Sequence, residues 1–139
     1  MNTQPVHCLL IHGSIVLIFG LLSGIPFWVA IIRGQDEEAI RPWRVAHTTL
    51  IACGLVMLVV NLISPQLALS RELRSLLAWV LVASGYGFVF ALVVGASMGY
   101  RALVPRPVGL NILLFMGHLI GAAGAVLGMC VVLYGLLHD

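Results

Sequence analysis

The stretch Cys8–Ile32 reads CLLIHGSIVLIFGLLSGIPFWVAII and contains no Asp, Glu, Lys or Arg. Roughly 20 consecutive apolar residues carry an α-helix across the hydrocarbon core of a bilayer. This one segment therefore sets the class of the fold, and three more like it follow. The apolar runs predict four transmembrane helices at residues 8–32, 45–63, 75–100 and 108–137. Connections this short make consecutive spans antiparallel, so the expected architecture is an all-α, four-helix antiparallel membrane bundle occupying residues 1–139 as one domain.

Composition agrees. Of 139 residues, 61% are hydrophobic and only 9% charged, and the mean hydropathy is +1.11. Soluble domains carry about 25% charged residues, so four spans leave no length for a soluble unit. The net charge of +2 is too small and too dispersed to point to nucleic-acid binding. All seven basic residues are Arg. Cys8, Cys53 and Cys130 lie in apolar stretches without CxxC spacing, which points to small buried thiols rather than a zinc site or a disulfide framework. The first segment lacks a basic leader and is too long for a signal-peptide core, so it is expected to stay as the first helix.

Breaks between spans are marked by turn chemistry. Pro26 is expected to kink the first helix. Residues 33–44 form the longest polar stretch, with Pro42 and Trp43 suited to re-entry at headgroup depth. Ser64-Pro65 ends the second span, and Pro105 and Pro107 stiffen the last connection. Arg33, Arg41, Arg44, Arg101 and Arg106 fall on one side, Arg71 and Arg74 on the other. The positive-inside rule puts the first side in the cytoplasm and both termini outside. Gly20 and Gly24 form a GxxxG pair, and Gly117, Gly121, Gly124 and Gly128 share one face of the last span. Such faces permit close helix approach, within the bundle or between copies.

No ionisable carboxylate or basic group lies in the body of any span, so proton-coupled transport and carboxylate acid/base chemistry within the membrane are disfavoured. The polar candidates are His12, His47, His118, Asn61, Asn111, Ser84, Tyr86, Ser97 and Tyr134. Histidine is a natural haem ligand. His12 and His47 start their spans at opposite interfaces, and His118 lies ~15 Å into the last one, so no two match in depth. One histidine with an open position opposite fits better than a bis-histidine electron carrier. His47, Leu50, Gly54, Met57 and Asn61 share a helical face, and the missing side chain of Gly54 is expected to let a flat porphyrin approach there. Trp79, Ala83, Tyr86 and Phe90 share another face. Such a stripe serves packing, or an apolar pocket whose π faces stabilise a developing cation.

The stretch His12–Gly24, HGSIVLIFGLLSG, resembles the first helix of bacterial styrene oxide isomerases, and Trp43-Arg44-Val45-Ala46-His47 followed by Gly54 resembles the start of their second. The resemblance covers most of the chain and is closest through the second span. It implies a homotrimeric, multi-pass protein of the bacterial inner membrane that binds haem b near subunit interfaces, with His47 as axial ligand; Gly54 and Asn61, on the same helical face, are then expected beside the cofactor. It implies that ferric iron polarises the oxygen of a small apolar, aryl epoxide. The C–O bond opens toward a benzylic cation, a hydride shifts, and an aldehyde leaves, a Meinwald rearrangement in which the iron keeps its redox state. Cys53 stands where the family has an Asn. Ser84 and Tyr86 are the nearest polar groups to the Asp, Asn and Tyr of its third helix. Cys53, Ser84 and Tyr86 are therefore the expected substrate-orienting residues. A haem protein without isomerase activity, such as a sensor or electron-transfer subunit, and a structural four-helix protein without cofactor are the other readings.

Overall fold

The computed structural model describes residues 4–99, 104 and 109–138. Its elements run α1 (Gln4–Ile32), α2 (Glu37–Ile63), a 3₁₀ turn (Ser64–Gln66), α3 (Arg71–Val89), a π turn (Phe90–Val94), α4 (Gly95–Met98) and α5 (Leu110–Leu137). The π turn joins α3 and α4 into one rod, so four rods among the described residues are long and apolar enough to cross a membrane. No strand occurs among the described residues. The expected all-α bundle is thereby shown. The predicted end of the third span at residue 100, Arg101, Pro105, Arg106, Pro107 and the start of the last span at residue 108 lie outside the described residues.

Three helix starts differ from the sequence expectation, α1 beginning at Gln4 rather than residue 8. α2 begins at Glu37 rather than residue 45, because Asp36 caps it by accepting from the Ala39 N–H at 2.9 Å. Glu37 and Glu38 then lie in the first turn, where carboxylates favour the positive end of the helix dipole. Arg44 reaches back two turns to a bidentate pair with Glu37 at 2.8 and 3.1 Å. Pro42 is tolerated inside the helix because it lies within its first two turns, where the missing N–H costs one bond near the exposed end. α3 likewise starts at Arg71, capped by the Ser70 hydroxyl.

The rods pack in two antiparallel pairs, α1 on α2 and α3 on α5, joined by contacts of both α1 and α2 with the third rod. Glycines set both contacts. A Cβ on Gly13 would meet the Met57 side chain at 3.0 Å, one on Gly54 the Leu17 backbone at 2.8 Å, and one on Gly20 the Ile51 nitrogen at 2.7 Å. On the other pair, a Cβ on Gly87 would meet the Gly117 carbonyl at 2.8 Å, and on Gly121 the Phe88 ring at 2.7 Å. Lipid offers no hydrophobic force between helices, so this close backbone approach is what holds them. The glycine face of α5 is thus occupied inside the bundle. The core between the pairs is closed by Val16, Leu50, Met57, Leu77 and Leu81, and the opposite faces of α1 and α5 are left exposed and apolar.

Candidate functional site

Depth is fixed by the antiparallel register of α1 and α2. Going up α1, Gly13, Leu17, Gly20 and Gly24 meet Met57, Gly54, Leu50–Ile51 and His47 in turn. His47 therefore lies ten residues into α2, not at its start, and its ring sits in the notch left by Gly24. A Cβ there would meet the ring Cε1 and Nδ1 at 2.9 Å each.

The ring is oriented by the backbone of α1. His47 Nδ1 lies 2.9 Å from the Gly20 carbonyl oxygen. A carbonyl only accepts, so Nδ1 carries the proton, and in the neutral imidazole the lone pair resides on Nε2. Nε2 has no hydrogen-bond partner among the described residues. A histidine that ligates a metal through one nitrogen commonly anchors the other on a carbonyl or carboxylate, and His47 has that arrangement. Phe27 lies beside it, ring centroids 6.1 Å apart, with the Arg44 guanidinium 5.7 Å from the Phe27 ring. The Gly20 carbonyl, Gly24 and Phe27 were not singled out from sequence as partners of His47. A backbone carbonyl has no sequence identity, and only the GxxxG spacing hinted that something packs closely there.

The other expected site residues lie elsewhere. Gly54 gives no room for a porphyrin, because the Leu17 backbone fills its notch. Asn61 is buried with its Oδ1 unpartnered among the described residues. It lies fourteen residues beyond His47, about 21 Å along α2 at 1.5 Å per residue, too far to touch a porphyrin centred there. Ser84 is buried and donates to the Gly121 carbonyl at 2.6 Å, which ties α3 to α5 and turns the hydroxyl away from any open pocket. Cys53 is half-buried against the core, six residues beyond His47. The Tyr86 hydroxyl lies 2.9 Å from His12 Nδ1, with the rings edge to face. That pair sits at the depth of Gly13, eight or more residues of α1 below the His47 cradle, about 12 Å. The Trp79–Phe90 stripe does not enclose a pocket either: Trp79 is 60% exposed and Phe90 40%, while Tyr86 turns to His12. The cysteines are free, and Cys130 is exposed rather than buried.

No three His, Cys, Asp or Glu side chains converge to hold a metal ion among the described residues. A haem brings four nitrogen ligands of its own and asks the protein for one donor, so the His47 arrangement fits that group. A cleft of about 420 Å³ opens where the start of α2 faces α4, between Asp36, Trp43, Ala96 and Gly99, but His47 does not line it.

Comparison with known proteins agrees with the resemblance read from α1 and α2. No curated protein and no solved structure matches the chain. The family model for styrene oxide isomerase, however, matches residues 6–137, nearly its whole length. The chain belongs to the styrene oxide isomerase family.

Proposed function

We propose that this protein is a haem b-dependent membrane isomerase that converts a small apolar epoxide, of the aryl type, into an aldehyde. The observation that carries the reading is the orientation of His47, with Nδ1–H held on the Gly20 carbonyl and the Nε2 lone pair left open. Family membership supports the isomerase class. A bound ferric haem would supply a Lewis-acid iron for the epoxide oxygen.

The chain's own residues have three tasks in this reading. His47 holds the iron through Nε2 while its other nitrogen stays fixed on α1. The apolar surroundings keep water from the carbon that becomes positive, so the hydride shift competes with no hydrolysis. The Glu37 carboxylate, ten residues before His47 on α2, is held in its pair with Arg44. Of the polar side chains expected to orient substrate, Cys53 lies nearest to His47, about 9 Å along α2. We further propose a homotrimer in the bacterial inner membrane, with exposed faces of the rods completing the haem site between copies.

The test is spectroscopic first. Protein purified in detergent and supplied with haemin should show a Soret band, and His47→Ala should abolish it. The wild-type sample should turn styrene oxide into phenylacetaldehyde. A haem-loaded protein inert on a panel of aryl and alkyl epoxides would remove the isomerase assignment and favour a haem-binding role without turnover.

A further inference from the structure

The geometry points to Gly24 as a positioning residue that acts through His47: with the Gly20 carbonyl it fixes the ring as the Nδ1–H tautomer and aims Nε2 for a metal before any cofactor arrives. This rests on the haem reading above and adds to it what sets the ligand's direction and proton.

Three observations carry it. The Gly24 notch is filled by an imidazole rather than by helix backbone, unlike the notches at Gly20 and Gly54, which lie against Leu50–Ile51 and Leu17. Two ring atoms stand 2.9 Å from where a Cβ would be, closer than ordinary van der Waals contact, so any side chain at position 24 must push the ring outward. The ring's only hydrogen bond among the described residues goes to a carbonyl one turn away on the same helix. Loss of the notch and loss of the hydrogen bond are therefore one event. The kind of acceptor matters too. A carboxylate would draw the Nδ1 proton and make the ring strongly electron-donating. A neutral carbonyl leaves it a neutral imidazole, a weaker donor, which keeps a bound ferric ion more electrophilic.

Two measurements test this. In cofactor-free protein with ¹⁵N-labelled histidine, the His47 signals, assigned by their loss in His47→Gln, should show a protonated Nδ1 and an unprotonated Nε2. A protonated Nε2 overturns the proposal, and this reading needs no haem. In the second, haem affinity is titrated by absorbance in two backgrounds. Gly24→Ala should weaken haemin binding about 10- to 100-fold in the parent protein, the range for loss of a metal ligand's supporting contacts. It should change little in His47→Gly protein given free imidazole, whose ring orients itself. An equal loss in both backgrounds would mean that Gly24 serves helix packing alone. If wild-type protein binds no haemin, the haem reading fails by itself, and the nitrogen signals still decide whether the cradle sets the tautomer.

Discussion

A neutral imidazole has one donor and one acceptor nitrogen, and in a membrane interior each has few partners to choose from. Two histidines of this chain resolve that constraint in different ways. His47 gives its donor to a backbone carbonyl and leaves its acceptor open. His12 is paired through Nδ1 with another side chain, the Tyr86 hydroxyl, seventy-four residues away in sequence. Deleting either side of the second pair should therefore cost the same interaction. Tyr86→Phe and His12→Phe should each destabilise the bundle, and the double variant should lose less than the sum. A coupling of about 0.6–1.7 kcal/mol is expected for a hydrogen bond between membrane helices, read from detergent or urea unfolding in a double-mutant cycle. Additive losses would show that the bond contributes nothing. The sequence marked both histidines and Tyr86 as polar groups in apolar spans. It did not pair them, because periodicity ranks positions along one helix and carries no information about which helices meet.

At the scale of elements, the α3–α5 contact depends on backbone against backbone. A Cβ on Gly87 would stand 2.8 Å from the Gly117 carbonyl oxygen and 3.1 Å from the Gly121 nitrogen, neither of which can rotate aside. Gly87→Val should therefore part the two helices and destabilise the protein by about 1–3 kcal/mol, the usual cost of overpacking. Ala123→Val, on the exposed face of α5, should change stability by less than about 0.5 kcal/mol. Thermal unfolding in one detergent compares them, and equal effects would contradict the packing argument. The four spans were legible because burial in lipid demands long apolar runs, and Cys8–Ile32 satisfies that without a charge. The starts of α2 and α3 were misread for the same reason. Hydropathy locates the membrane, whereas Asp36 and Ser70 set the helix ends, and those caps lie outside the apolar stretch.

For the whole molecule, depth is the coordinate that assembly cannot change. Copies of a membrane protein in a cyclic oligomer are related by an axis along the membrane normal, so each residue stays at its own depth in every copy. The His12–Tyr86 pair sits about 12 Å of α1 from the His47 cradle, and a trimer leaves that difference as it is. A neighbouring copy brings laterally distant groups together at one level. At the level of His47 these are apolar and aromatic side chains such as Phe27. Phe90 belongs there as well, five residues beyond Gly85, which meets Val16. The substrate space beside Nε2 should then be lined mainly by aromatic and aliphatic groups, with Tyr86 acting on the bundle rather than on the epoxide oxygen. Tyr86→Phe is expected to keep the haem spectrum and to lower turnover of styrene oxide by less than about tenfold, the scale of one neutral hydrogen bond acting indirectly. His47→Ala should lose both. Initial rates on haem-loaded samples, normalised to the Soret absorbance, separate the outcomes. A fall of a hundredfold or more in Tyr86→Phe with its haem intact would place the phenol at the reacting atoms. Tyr86 would then have to leave His12 and turn along α3 toward the cofactor.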